Sequence, residues 1–495
     1  MSNLTKVLET LSPEQRELLI LRLSKAGTPQ TISTPEQGVV TGEVPFIQDW
    51  FFEQNFPDPH HWNVSTLLEV RQPIDPALLK RVVSHLLLHH DALRLRFVEQ
   101  DSRRRSFVAA PNEDDVPFHY HDLSGIPGRE QPAAVESLAA RYQGSLNLSE
   151  GPIIRVVFLD LGAGRPGRLL VIIHHLAADI VSLQILLEDL HTAYTQLAAG
   201  EAVSLPAKTT SFKELIERCA AYAKTRNPVE DSAYWLSLPW EKVAPLPFDH
   251  PHEPADNSDE SADAVGAILS AEETGTLLRE ATRLYSAKTV TMAALVQTLA
   301  CWTGVPAHVI DLAVHGREVV VEGIDLSRTV GWIAGGTRLV LDIEGADGPG
   351  EILAAVDAQI RREEANRMEE GRLAFDSLRY HCGDAEIMKK MQALPRAQVF
   401  FNFQGQTFQK KWTQQQPEAA LIVDARESKG PSCHPRCVRH LVFEVAANVY
   451  GERLVLEWRY SKNLHRRSTV EMLAENYIGS LKSLIGYCQS SLHRP

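Results

Sequence analysis

The stretch VIIHHLAADIVSLQILLEDL, residues 171–190, carries the signals that decide the fold. Its β-branched start is typical of a buried strand, and the residues after Asp179 show helical spacing of apolar side chains, with Ser182 as the expected N-cap. His174, His175 and Asp179 lie at the junction between the two patterns. Because ligands of open α/β proteins bind where a strand ends and a loop begins, the stretch predicts an α/β fold with a candidate site here.

The rest of the chain repeats this alternation of strand and helix patterns in two series. A polar segment at residues 249–265, rich in acids and proline, cannot contribute to a core and separates the series. The second series contains a hairpin signal at residues 450–452. The sequence therefore predicts two α/β lobes, residues 45–225 and 226–495. Residues 1–44 are predicted to form a capped amphipathic helix followed by a tether rich in Thr, Pro and Gly.

Composition and charge exclude several classes of partner. The chain has 495 residues, and its 63 acidic and 50 basic side chains give a net charge of -13. That charge repels phosphate backbones and anionic lipids, which argues against a nucleic-acid partner. No apolar run approaches the length of a membrane span, and the first residues lack the pattern of a signal peptide. We therefore expect a cytoplasmic protein without a membrane partner.

The six cysteines are too sparse for a disulfide framework in a chain of this length. The tightest group is CHPRC at residues 433–437, with His440 nearby. Structural zinc sites usually supply four ligands, and the spacing between Cys433 and Cys437 has no second matching pair. The sequence therefore predicts reduced thiols and no metal site.

The histidine pair at residues 174–175 has two interpretations. Imidazole exchanges a proton near neutral pH, and the aspartate that follows can orient a histidine or pair with a buried arginine. In the first interpretation the cluster activates a nucleophile. The alternative is a structural cluster, because His-His pairs also occur at residues 60–61 and 89–90. Shared ligation of one metal ion is disfavoured, because adjacent strand residues point to opposite faces of a sheet.

Six segments, in order along the chain, resemble signature motifs of the condensation and epimerization domains of nonribosomal peptide synthetases. The segment HHLAAD, residues 174–179, resembles the HHxxxD active-site motif of that superfamily. One such segment alone is a weak signal, whereas six in register are a strong one and cover nearly the whole chain. The other five are PFIQDWFF (residues 45–52), HHDALRLRF (89–97), HGRE (315–318), SRTVGW (327–332) and FNFQGQ (401–406).

The resemblance implies two lobes similar to chloramphenicol acetyltransferase, arranged in a V with a central tunnel. Carrier proteins would bring substrates to both ends as phosphopantetheine thioesters, so neither a metal nor a bound cofactor is expected. His175 would point into the tunnel and help the acceptor amine attack the donor thioester. His174 would be structural, and Asp179 would hold the loop through an ion pair with Arg155 on the neighbouring strand.

Three side chains of the later motifs are candidates for the tunnel wall. His315 follows a predicted strand, Trp332 closes the SRTVGW motif, and Asn402 lies in FNFQGQ. The resemblance implies that these residues line the tunnel or contact the substrate.

Two positions depart from the superfamily pattern. The segments are more similar to the epimerization branch, which places a glutamate opposite the histidine to exchange a proton on the second face of the α-carbon. That position is Ala313 here, and alanine carries no proton. Ile180 replaces the glycine that normally follows the aspartate. Because a β-branched residue resists backbone angles that glycine permits, we expect a loop of different shape.

These features leave three hypotheses. The first is condensation, which forms an amide or ester bond between a carrier-bound acyl thioester and an amine or hydroxyl acceptor and needs no second acid. The second is epimerization of a carrier-bound aminoacyl or peptidyl group with an unrecognised acid. The third is a non-catalytic module that recruits a carrier protein. The sequence contains no adenylation signature or carrier motif, so we expect a stand-alone condensation enzyme or an excised domain, which would act on carrier proteins in trans.

Overall fold

The computed structural model describes residues 38–39, 46–100, 103–112, 115–318, 321–369, 373–406 and 422–492. The predicted N-terminal helix and tether lie outside the described residues, except for Gly38–Val39, which form a short strand. Within the described ranges, no helix combines the length and hydrophobicity that crossing a membrane requires.

Strands and helices alternate through most of the described chain, in agreement with the predicted mixed α/β fold. The strands are β1 Gly38–Val39, β2 Asn63–Val70, β3 Leu95–Gln100, β4 Arg103–Val108, β5 Phe118–Asp122, β6 Ile154–Asp160, β7 Gly167–His174, β8 Ala262–Ile268, β9 Ala307–Val314, β10 Gly335–Asp342, β11 Val399–Gln406, β12 Ile422–Asp424, β13 Phe443–Tyr450 and β14 Arg453–Ser461. The α-helices are α1 Phe46–Glu53, α2 Pro76–His89, α3 Gln131–Gln143, α4 Ile180–Ala198, α5 Phe212–Thr225, α6 Pro228–Leu236, α7 Ala271–Arg279, α8 Ala287–Thr303, α9 Pro349–Glu364, α10 Phe375–Tyr380, α11 Ala385–Ala393 and α12 Arg467–Leu492.

The first lobe is built on a five-stranded sheet in the order β12, β2, β7, β6, β5. Strand β7 is buried on both faces, which explains its continuous apolar sequence. Side chains of α2 and α4 cover one face, and side chains of α3 cover the other. The strand ends at His174 and α4 begins at Ile180, so the predicted strand, loop and helix are confirmed.

The N-cap of α4 is Asp179 and not the predicted Ser182. The Asp179 carboxylate accepts a hydrogen bond from the backbone N–H of Ser182 at 2.7 Å. This is the usual contact between an N-cap side chain and the third residue of a helix. The helix therefore starts directly after the aspartate of the motif, which fixes the orientation of its carboxylate.

The second lobe is built on a six-stranded sheet in the order β10, β9, β11, β13, β14, β8. Helices α8, α9 and α12 pack on this sheet and form a separate hydrophobic core. The predicted hairpin is confirmed, because Tyr450 pairs with Arg453 and Gly451 has a φ of 62°, in the region that favours glycine.

Two segments from the second half of the sequence lie on the first lobe. Strand β12 pairs with β2, so that Val423 lies opposite Glu69. The connection between β9 and β10 sends Leu326, Val330 and Trp332 into the first hydrophobic core. This connection between β9 and β10 brings Trp332 to the end of β7, where the histidine pair lies.

Candidate active site

The ring of His175 lies between two indole rings. His175 follows β7, and its backbone N–H donates to the carbonyl of Trp62 at 2.9 Å. Its ring stacks on Trp62 with centroids 4.7 Å apart and an interplanar angle of 25°. The Trp332 ring lies on it at 4.6 Å with an angle of 42°. Two tryptophans from distant parts of the chain therefore fix the plane of this imidazole.

The His175 side chain is only partly enclosed, and its two nitrogens are not equivalent. Nδ1 is buried and has no hydrogen-bond partner among the described residues. Burial is the largest influence and lowers the pKa of His175, while the charge of Asp179 opposes this with a smaller increase. The ring is therefore neutral near pH 7, so it can accept a proton or a hydrogen bond from a substrate.

The preceding histidine, His174, is fully enclosed. Its Nε2 donates to the carbonyl of Pro59 at 2.9 Å, and its Nδ1 accepts from the backbone N–H of Leu176 at 3.2 Å. Burial lowers the pKa of His174 to about 3. Both nitrogens are occupied by the backbone, so this ring fixes the turn after β7 and offers no nitrogen to a substrate.

Asp179 is bound by a network that spans the two halves of the chain. Arg317 donates to both carboxylate oxygens, from Nη1 at 2.9 Å and from Nη2 at 3.0 Å. The backbone N–H groups of Ile333 and Ala334 add bonds at 3.1 and 2.9 Å, and Ser182 adds its hydroxyl at 2.7 Å. Burial alone raises the pKa of Asp179, but Arg317 and these donors outweigh it and hold the pKa below its usual range.

The predicted ion pair between Asp179 and Arg155 is wrong. Arg155 lies opposite Ile172 in the ladder of β6 and β7, and Ile172 belongs to the core on the α3 face of the sheet. Residues opposite each other in a ladder share a face. The Arg155 side chain therefore contacts the His119 ring at 3.0 Å on that face and lies away from Asp179.

The observed partner, Arg317, belongs to the HGRE motif of the sequence. No local pattern showed that this motif would reach Asp179, because the two residues are 138 positions apart. A buried carboxylate in need of a counter-ion was the available signal. It narrowed the choice to arginines without selecting one.

The remaining candidates differ in their position relative to His175. Trp332 contacts the ring directly, as described above. His315 is exposed, and its ring nitrogens contact the backbone N–H of Arg317 at 3.2 Å and the Glu318 carboxylate at 3.4 Å. Asn402 lies half-buried in β11 opposite Ala446. The contacts of His315 thus lie within its own motif, and of these three candidates Trp332 is the one against the imidazole.

Two positions that depart from the superfamily pattern lie at the starts and ends of elements. Ala313 lies near the end of β9 opposite Gly336, and its methyl side chain carries no exchangeable proton. Ile180 is the first residue of α4, and its side chain is 50% exposed. Among the described non-glycine residues, only Asn55 has a positive φ. Ile180 therefore begins the helix with a backbone φ outside the region that favours glycine.

A second group of buried titratable side chains joins α2 to α4. His89, His90 and Asp189 lie close enough to share a metal ion. The Asp189 carboxylate is already engaged, because one oxygen contacts His90 Nε2 at 2.8 Å and the other pairs with Arg328. Lys208 adds another positive charge to the lining of the same small cavity. These cations fit a hydrogen-bonded ion-pair network better than a metal site.

Comparison with known proteins identifies the relatives of this arrangement. Residues 41–495 match the model of the condensation domain family. A linear gramicidin synthase from Brevibacillus parabrevis is 40% identical over 460 residues, which are 92% of this chain and 6% of that protein. The chondramide synthase from Chondromyces crocatus is 36% identical over 93% of this chain and 12% of its own length. The chain therefore spans only a small part of the length of such relatives.

Solved structures share the fold over almost the whole chain. The epimerization domain from the third module of tyrocidine synthetase B has a TM-score of 0.81 at 25% identity, covering 94% of this chain and 100% of that one. The first condensation domain of the calcium-dependent antibiotic synthetase has a TM-score of 0.65 at 18% identity, covering 90% and 97%. The two-lobed α/β fold is therefore that of condensation-domain structures.

Proposed function

The chain belongs to the condensation domain family of nonribosomal peptide synthetases, and from this premise we propose that it is a condensation enzyme. Its donor would be an acyl thioester on the phosphopantetheine arm of a carrier protein. Its acceptor would be an amine or hydroxyl group, either on a small molecule or on a second carrier protein, and the product an amide or ester.

The observation that supports condensation is the neutral imidazole of His175, whose ring contacts among the described residues are tryptophans and not a second acid. Asp179 is the carboxylate that influences the pKa of His175, yet its oxygens are bound by Arg317 and backbone donors. It is therefore a positioning group and not a proton donor. The position from which the epimerization branch would supply its glutamate is Ala313. Bond formation needs one proton acceptor, and His175 offers one.

In the proposed reaction, the two ring nitrogens of His175 have different roles. Nδ1 is enclosed, so we assign proton transfer to Nε2. The acceptor amine attacks the thioester carbonyl, a C–N bond forms, and the tetrahedral intermediate loses the pantetheine thiolate as the C–S bond breaks. Nε2 takes the proton from the amine and returns it to the thiolate. An α-amine has a pKa of about 8, so much of the catalysis comes from orientation, which can supply several kcal/mol.

Replacement of the imidazole tests this proposal. With carrier-bound donor and free acceptor, His175→Ala should lower product formation, followed by mass spectrometry, by about 10²- to 10⁴-fold. His250→Ala is the matched control, because the backbone of His250 contacts Leu464 of the second lobe at 3.3 Å, and it should keep the wild-type rate. A wild-type rate in His175→Ala would rule out His175 as the group that transfers the proton.

Epimerization is the second candidate, and the tyrocidine synthetase epimerization domain, with its TM-score of 0.81, favours it. Incubation of an aminoacyl or peptidyl carrier protein with the chain in deuterium oxide separates the two reactions. Deuterium at the α-carbon, with no amide or ester product formed, would support epimerization. Product formation with the α-proton retained would support condensation.

A non-catalytic carrier-recruiting module is the third candidate. It is favoured by the half-exposed Ile180, because an apolar side chain stands beside Asp179 at a position where the resemblance implies glycine. Saturable binding of an acylated carrier protein, with neither product nor deuterium exchange across a panel of acceptors, would support this role.

A further inference from the structure

Two buried cysteines lie at the two ends of a turn that adjoins the candidate site. The backbone N–H of Cys437 donates to the carbonyl of His434 at 2.8 Å and closes a turn between Cys433 and Cys437. Both side chains are buried, and the two thiols are near enough for each to influence the pKa of the other. Pro435 and Arg436, at the tip of the turn, are exposed. The buried pair therefore lies directly beneath exposed residues.

The two thiols share their protons unequally. The interaction with Cys433 lowers the pKa of Cys437, assisted by the backbone of His434. The interaction with Cys437, burial and the nearby Asp259 carboxylate raise the pKa of Cys433. Of the two thiols, Cys437 therefore loses its proton more readily. Oxidation-sensitive cysteine pairs combine a low-pKa thiol with an adjacent resolving thiol in this way.

The turn is joined directly to the residue that supports His175. Cys433 forms an isolated antiparallel bridge with Trp62. The backbone N–H of Asn63 donates to the carbonyl of Ser432 at 2.7 Å. The Trp62 ring in turn stacks on His175 at 4.7 Å. A change in backbone geometry at residue 433 therefore reaches the imidazole through one intervening residue.

We propose that Cys433 and Cys437 are a redox-responsive dithiol, which a peroxide converts to an intramolecular disulfide that displaces Trp62 from His175. The Cys437 thiol gives up its proton, and its thiolate attacks one peroxide oxygen. The O–O bond breaks, the departing hydroxide takes that proton and leaves as water, and Cys437 becomes a sulfenic acid. The Cys433 thiol then attacks that sulfur and releases a second water. Two thiols and one hydrogen peroxide give one disulfide and two waters, with the thiols oxidised and the peroxide reduced.

Metal binding is the competing use of two neighbouring thiols. Structural metal sites need further ligands. Among the described residues, the group with three or more ligand side chains within reach of one another is His89, His90 and Asp189, which lies away from this turn. The two thiols are sufficient for a disulfide, whereas a structural zinc site usually needs four ligands.

The test uses the full chain and hydrogen peroxide. Intact-mass spectrometry should show a loss of two hydrogen atoms that dithiothreitol reverses, and a peptide map should link residues 433 and 437. Cys433→Ser should instead accumulate a sulfenic acid at Cys437, whereas Cys437→Ser should form no disulfide. The double variant of the exposed Cys219 and Cys301, both to Ser, is the control and should behave as wild type.

The link to the active site has its own measurement. Oxidation should shift the NMR signal of the His175 ring and lower bond formation by about 10²-fold, the order expected for displacing a positioning group by about 1 Å. The mass and NMR measurements do not depend on the proposed reaction, so failure of that reaction leaves them valid. Absence of the 433–437 disulfide in the wild type would overturn the dithiol, and a disulfide with an unchanged His175 signal would overturn the coupling.

Discussion

Arg317 and Asp179 are joined by two hydrogen bonds, at 2.9 and 3.0 Å, that connect the loop after β9 to the start of α4. Both side chains are almost fully buried at this contact. The pair therefore ties the second half of the chain to the motif that carries His175. It also holds the carboxylate in place by its charge and geometry, which removes Asp179 as a proton donor.

Loss of Arg317 should destabilise the protein strongly. Arg317→Ala leaves the Asp179 carboxylate buried without its counter-ion, which typically costs about 3–5 kcal/mol in the free energy of unfolding. Denaturant titration followed by circular dichroism measures this cost. Arg155→Ala is the matched control, because Arg155 contacts His119 and not Asp179, and its cost should be clearly smaller. Equal costs for the two variants would contradict the assignment.

His174 should make the fold sensitive to acid. Its pKa is about 3 in the folded protein against 6.5 for a free histidine, so the unfolded chain binds the extra proton between these values. Its contribution to stability is therefore complete above pH 6.5 and is lost as the pH falls toward 3, at up to about 1.4 kcal/mol per pH unit. His174→Gln, whose amide can donate to Pro59, should show a shallower loss between pH 6.5 and 4. Parallel stability profiles would contradict this prediction.

Trp332 should control the proton affinity of His175. Burial is the main cause of the lowered pKa of His175, and the Trp332 ring covers one of its faces. Trp332→Leu should therefore move the pKa of His175 upward toward 6.5, which an NMR titration of the ring would show. Trp302→Leu, in the second lobe, is the control and should leave that pKa unchanged. An unchanged pKa in Trp332→Leu would mean that other groups enclose the ring.

Ala313 should decide whether the site exchanges an α-proton. Ala313→Glu places a carboxyl group at the position that the epimerization branch uses. We expect deuterium to enter the α-position of a carrier-bound aminoacyl substrate at least about 10-fold faster with this variant than with wild type. Ala313→Gln is the control, since it has similar size but cannot exchange a proton. Equal rates of deuterium entry with both variants would show that the side chain at position 313 does not face the substrate.

Much of the candidate site was visible in the sequence because its signals are local. A β-branched run followed by helical spacing predicted β7 and α4, and the position of the histidine pair between them followed directly. The hairpin at residue 451 depended only on a glycine in a turn. The family followed from six short segments in the same order, and this order needs no knowledge of the chain path.

Contacts between distant segments could not be predicted in this way. The choice of Arg155 as the partner of Asp179 respected proximity along neighbouring strands but not the face of the sheet to which the side chain points. The alternation of side chains in β6 directs Arg155 to the α3 face. The expectation of a loop of different shape at Ile180 stays a prediction, and the residue itself opens a helix without glycine backbone angles.

The sequence by itself determined the α/β fold, the strand-to-helix junction and the family, since periodicity and motif order are properties of neighbouring residues. Only the tertiary structure decided that Arg317 binds Asp179, that Trp332 covers His175 and that Cys433 lies beside Trp62. The physical reason is that each of these contacts joins segments more than a hundred residues apart. Their distances depend on how both halves of the chain pack, and no short stretch of the chain encodes that packing.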